Sequence, residues 1–130
     1  MIGNGEMQTA VHAEIEKLSI QDKVTLVRQT NDMPSYYHKS DLYLFPSNYE
    51  GLGITAIEAQ ACGLRVLASD KVPSSIQCGL VNFNSLEQTA KDWAKEIKDM
   101  LDEKKSLDCN ELKKYSIENT INQIERIYEN

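Results

Sequence analysis

A chain of 130 residues has room for one ordinary domain with a core of its own, and not for a second. Hydrophobic residues at 41% and charged ones at 26% exclude the composition of a disordered chain, so a packed core is expected. The formal charge of −6, with acidic residues outnumbering basic ones on both sides of Ser85, argues against a surface that tracks nucleic acid, whose footprint is a basic patch.

No run approaches the ~18 apolar residues of a membrane span, and the N-terminus lacks a charged region followed by an apolar one. A cytoplasmic protein is expected. Cys62, Cys78 and Cys109 are odd in number and far apart, which suggests neither a disulfide framework nor a CxxC metal site. They read as buried or idle thiols.

In chain order, Met1-Ile2 leads into Gly3-Asn4-Gly5, and a helix is predicted from about Glu6 to Leu18, with Met7, Ala10, Val11, Ile15 and Leu18 on one face. Val24 to Val27 is a β-branched run and reads as a strand. Asn31 to Pro34 opens a short helix with proline in its first turn. Leu42 to Phe45 is continuously apolar, as for a strand covered on both faces, and Pro46-Ser47-Asn48 ends it. After the loop Gly51 to Gly53 comes a helix over Thr55 to Cys62, stopped by Gly63. Val66 to Ser69 is the next strand, a weaker one lies at Gly79 to Phe83, and an amphipathic helix runs from about Leu86 to Leu101 with Trp93, Ile97 and Met100 inward. A turn at Lys104-Lys105 leads to a last helix, about Ile117 to Glu129, whose apolar face is Ile117, Ile121, Ile124 and Tyr128.

Strands alternating with helices predict βαβ units: an α/β fold with a doubly wound parallel sheet. Leu42 to Phe45 and Val66 to Ala68 are expected as adjacent central strands. The whole of 1–130 reads as one domain, an α/β core over about 1–104 with a helical tail over about 105–130.

The stretch from Phe45 to Gly63 runs strand, glycine loop, helix. A loop entering a helix at the carboxyl end of a parallel strand offers backbone N–H groups and the positive end of the helix dipole, which together favour a diphosphate. Gly51 and Gly53 bring no side chain to block a close approach. Open α/β sheets bind ligands at this edge. Glu50 and Glu58 bracket the loop; Glu6 with Glu14 and Glu103 with Glu111 share their separation but lack that context.

These residues resemble the donor-binding C-terminal half of retaining glycosyltransferases of the GT-B fold, the group 1 type, and look closest to capsule and exopolysaccharide transferases. Pro46-Ser47, Glu50, Gly51-Leu52-Gly53, Glu58-Ala59-Gln60-Ala61 and Gly63 match the family's proline-serine, paired glutamates and Glu-Ala-x-Ala-x-Gly. Gly3-Asn4-Gly5 is similar to its Gly-Asp-Gly, and the likeness continues through Leu80 to Phe83 and Trp93-Ala94 to the last helix.

The resemblance implies a Rossmann-like domain binding a nucleotide-sugar, with a UDP-sugar as donor and no cofactor. Glu50, as catalytic residue, would contact the donor-sugar hydroxyls. Backbone groups of Gly51, Leu52, Gly53 and Ile54 would hold sugar and diphosphate, and Glu58 the ribose hydroxyls. A carboxylate can accept from both hydroxyls of a diol. Arg28, Gln29 and Thr30 would line the base, and Gly3 and Gly5 would form a second glycine loop. No Asp-x-Asp occurs, so no metal is implied.

His12, His38, Lys71, Tyr36, Tyr37 and Trp93 read as solvated or packing residues. Arg65 stands where the family carries proline. By resemblance, a first strand–helix unit with an arginine and a lysine for the diphosphate, and an N-terminal acceptor-binding domain, would lie upstream of Met1. The chain alone is therefore expected to be inactive, with the complete enzyme at the inner face of the membrane. The last helix would self-associate or fold back on its own domain. The alternative is a free-standing Rossmann-like nucleotide-binding or regulatory module without catalysis.

Overall fold

The computed structural model describes residues 1–103 and 107–128, which form two compact units, Met1–Met33 and Pro34–Asn130. In the first, helix α1 (Gln8–Lys17) is followed by a single 3-10 turn, Gln21–Lys23. The run Val24 to Val27 does not become a strand. It pairs with Met1 to Gly3 through one isolated parallel bridge, Ile2 to Val27: the Met1 amino group donates to Thr25 O at 2.7 Å, Val27 N–H to Met1 O at 2.9 Å and Gly3 N–H to Val27 O at 2.9 Å.

The second unit opens with α2 (Met33–His38) and continues through β1 (Tyr43–Phe45), α3 (Ile54–Ala61), β2 (Val66–Ser69), β3 (Val81–Asn84), α4 (Ala90–Asp102), α5 (Cys109–Lys113) and α6 (Ile117–Tyr128). The strands form a parallel sheet in the order β1-β2-β3, with Tyr43 opposite Val66 and Val66 opposite Val81. The two apolar runs are thus adjacent and parallel. Central position holds for β2 alone, whose four residues are all buried; β1 lies at an edge of this sheet, with Leu44 at 44% exposure rather than covered on both faces.

Side chains alternate between the faces of a sheet. Tyr43 and Phe45 meet α3: the Tyr43 hydroxyl donates to Thr55 Oγ1 at 3.2 Å, and Phe45 packs close to Gly53. The opposite face turns to α4, where Asn82 Nδ2 donates to Glu96 Oε1 at 2.7 Å. The sheet therefore carries a helix on each side, as the doubly wound pattern requires. The β2–β3 connection has no α-helix, only a 3-10 turn at Ser74–Ile76.

Gln60 pins that connection to α3. Its amide donates to Ala56 O (3.0 Å) and Ile76 O (2.7 Å), and its oxygen accepts from the N–H groups of Cys78 (2.9 Å) and Leu80 (3.3 Å). Gln60 is fully buried, so these bonds replace all the water it has lost. Cys78 is buried too, and that burial pushes its thiol above the ordinary range.

Helix α4 starts later than its apolar period suggests, because Thr89 caps it: Thr89 Oγ1 accepts from Asp92 N–H, and the Asp92 carboxylate accepts from Thr89 N–H at 3.0 Å. Met100 is buried, Trp93 and Ile97 half-buried, in keeping with the inward face. Arg65 replaces the expected proline with a function of its own, since its guanidinium donates to Met100 O and, at 3.0 Å, to Glu103 O at the end of α4.

The expected turn at Lys104-Lys105 and the end of the last helix at Glu129 lie outside the described residues, as does the side chain of Tyr128. Helix α5 was not foreseen in the sequence. Asp108 caps it, accepting from Asn110 and Glu111 N–H, and Asp108 N–H donates to Cys78 O at 2.8 Å. On α6, Ile117, Ile121 and Ile124 are 77%, 48% and 48% exposed. The described residues of that face are thus exposed rather than buried against the rest of the chain.

Candidate functional site

The residues singled out in the sequence fall in both units. In the first, Gly3 and Gly5 sit between the Ile2–Val27 bridge and α1. A β-carbon at either would meet no atom within 4 Å, so glycine there leaves open space instead of meeting a packing demand. Arg28 and Gln29 are exposed, and Thr30 Oγ1 accepts from Asp32 N–H at 3.0 Å.

In the second unit, the loop from Pro46 to Gly53 leaves the carboxyl end of β1 and is tied to the carboxyl end of β2. The buried Ser69 hydroxyl donates to Ser47 O and accepts from Lys71 N–H at 3.2 Å. Ser47 Oγ in turn donates to Glu50 Oε1 at 2.9 Å, so one oxygen of this half-buried carboxylate is already held. Lys71 itself is exposed.

Gly53 enters α3 at φ +77°, a left-handed conformation that only glycine adopts without strain. A β-carbon there would lie 3.2 Å from Ile76 Cγ2 and 3.4 Å from Phe45 Cε1. Gly51 has open space around it. The two glycines therefore differ: Gly53 is demanded by the fold, and Gly51 leaves room. No side chain caps α3 at Gly53, and the first N–H groups of a helix have no partner within it. Leu52 and Ile54 expose their side chains beside this start.

Glu58 lies on the exposed side of α3. The hydroxyl of Tyr37, 3% exposed, donates to Glu58 Oε2 at 3.4 Å. Burial, together with Tyr43 and the Glu58 carboxylate, pushes the Tyr37 phenol far above its ordinary range. Burial also raises Tyr43, partly offset by its bond to Thr55. Glu58 borders a groove of about 680 Å³, walled by Leu52, Ile54 and Ile57 on one side and by Leu112, Lys113 and Tyr115 on the other. The sequence carries no pattern that would have brought residues 112–115 to this place. Among the described residues, no cluster of three or more His, Cys, Asp or Glu side chains could hold a metal ion, and no helix is long and apolar enough to cross a membrane.

The other residues read as bystanders have ordinary partners. His12 is exposed, His38 Nδ1 lies 2.8 Å from Pro34 O, and Trp93 Nε1 donates to Ser85 O at 3.0 Å.

Sequence comparison adds a family. The model described as Glycosyl transferases group 1 matches residues 1–123. An uncharacterized glycosyltransferase of Haemophilus influenzae is 37% identical over 73 residues, which are 56% of this chain and 21% of that protein. The lipopolysaccharide core biosynthesis mannosyltransferase LpsB of Rhizobium meliloti is 30% identical over 63 residues, 48% of this chain and 18% of that protein. The putative glycosyltransferase EpsF of Bacillus subtilis is 27% identical over 99 residues, 75% of this chain and 26% of that protein. The chain thus spans about a fifth to a quarter of the length of these relatives.

Proposed function

The chain belongs to the glycosyl transferases group 1 family, and from that premise we propose that it is the nucleotide-sugar donor-binding part of a retaining transferase of capsule or exopolysaccharide synthesis. One observation carries the reading: Glu50 and Glu58 bracket an uncapped helix start where the loop after β1 is tied to the carboxyl end of β2. Glu50 contacts the donor sugar, and backbone N–H groups from Gly51 to Ile54 receive the sugar and diphosphate. Glu58 accepts from the ribose hydroxyls. The name of LpsB, a lipopolysaccharide core biosynthesis mannosyltransferase, supports a role in building bacterial surface polymers; a UDP-sugar as donor rests on the family resemblance alone. The complete enzyme works at the inner face of the membrane together with an acceptor-binding domain.

By itself the chain binds a nucleoside diphosphate weakly and transfers no sugar. Cations that pair with the departing diphosphate supply much of the electrostatic stabilisation in such transfers, and a sugar carbon open to water lacks an acceptor held against it. Calorimetric titration with uridine diphosphate checks the binding: Glu58→Ala should weaken it about tenfold or more, and equal affinities would remove Glu58 from the ribose role. Sustained release of nucleotide from UDP-sugars by the purified chain would contradict its inactivity.

A further inference from the structure

We propose that Tyr37 is a positioning residue for Glu58, its buried hydroxyl holding Oε2 so that Oε1 is the oxygen presented to the ribose diol. This rests on the ribose role proposed above for Glu58. An exposed glutamate on a helix samples several rotamers, most of them aimed at water, and a ligand must pay the cost of freezing one. Glu58 is exposed on α3, and the Tyr37 hydroxyl donates to its Oε2 at 3.4 Å. At that length the bond is weak, and what it supplies is direction.

The donor end is fixed. The Tyr37 ring meets Tyr43 edge-on with centroids 5.8 Å apart, and Tyr43 stacks on Phe45 at 5.5 Å. Tyr43 is itself anchored to α3 through Thr55, so the three rings form a block beneath the helix that carries Glu58. The end of α2 is closed by Ser40, whose N–H donates to Tyr37 O and whose hydroxyl donates to Tyr36 O at 2.7 Å. Burial beside a carboxylate also keeps the phenol protonated, so it stays a donor at any pH at which a nucleotide would be bound. A carboxylate with one oxygen committed presents the other in a fixed direction, which is how outer hydrogen bonds commonly prepare a binding group.

Tyr37→Phe removes one oxygen atom and keeps the ring. Uridine diphosphate and its 2′,3′-dideoxy analogue are titrated calorimetrically into the parent chain, Tyr37→Phe, Glu58→Gln and the double variant. The parent should prefer the ribose ligand by about tenfold, and Glu58→Gln should bring the ratio close to one. Tyr37→Phe should lower the ratio by about threefold with the dideoxy affinity unchanged, and the double variant should match Glu58→Gln. A parental ratio in Tyr37→Phe, with the ratio lost in Glu58→Gln, overturns the positioning role and leaves the ribose reading standing. Equal loss of both ligands in Tyr37→Phe also overturns it, as a merely structural effect. An unchanged ratio in Glu58→Gln, or no saturable binding by the parent, removes the ribose reading and this proposal with it. Should Tyr37→Phe fold poorly, Glu58→Asp serves instead, since its shorter side chain draws the carboxylate away from the phenol: it should lower the ratio, and a parental ratio overturns the positioning role.

Discussion

At Gln60 one amide closes four hydrogen bonds in a place sealed from water, and its replacement shows what buried polarity is worth. Gln60→Leu would leave the N–H groups of Cys78 and Leu80 and the carbonyl of Ile76 without a partner. A loss of about 2–4 kcal/mol in chemical denaturation is expected. Gly53→Ala meets a different obstacle, a left-handed backbone with Ile76 and Phe45 in the way, and should cost about 1–3 kcal/mol in the same measurement. Ser47→Ala frees Glu50 Oε1 and should lower affinity for a UDP-sugar relative to uridine diphosphate by about threefold, as calorimetry would read it. Glu50 and Glu58 were legible in the sequence because their spacing brackets a glycine loop between strand and helix. The hydroxyls that hold them were not, since Ser47, Ser69 and Tyr37 acquire their partners only when β1, β2, α2 and α3 come together. Tyr37 was read as packing, which its burial bears out, but no periodicity tells a buried phenol from a buried phenyl ring.

Helix α4 shows how ends decide where an element lies. Its apolar period suggested a start near Leu86, yet the capping box of Thr89 and Asp92 sets the first turn at Ala90. The bonds to Thr89 lower the Asp92 carboxyl below its ordinary value near 3.8. A group depressed in the folded state adds stability that is complete above the unfolded value and is lost as pH falls through the folded one. Asp92→Asn should therefore flatten the acid limb of a denaturation series below about pH 4 and leave its shape near neutrality unchanged. At the other end, Arg65→Ala should cost about 1–2 kcal/mol in thermal melts, by withdrawing a cation from the last carbonyls of α4. Strands β1 and β2 were legible because buried parallel strands are continuously apolar. Val24 to Val27 looked equally convincing but makes only one bridge, to Ile2, since β propensity lengthens a strand only as far as a neighbouring backbone runs alongside. Helix α5 is too short for its period to show.

On the scale of the whole molecule, α6 turns Ile117, Ile121 and Ile124 to solvent, a surface that soluble chains tend to cover. Sedimentation velocity over a concentration series should show a growing heavier species, and Ile121→Lys with Ile124→Lys should abolish it without lowering the melting temperature. A single monomeric boundary at every concentration would end the idea. The aromatic residues are also unevenly shared between the two compact units. Residues 1–33 contain no phenylalanine, tyrosine or tryptophan, and the one tryptophan, Trp93, donates its indole N–H to Ser85 O where the chain passes from β3 into α4. The protein thereby carries its own optical label for half of its folding question. Tryptophan emission follows the second unit alone, whereas far-ultraviolet dichroism also senses α1, so recording both during one melt reveals whether the units unfold in a single event or in succession.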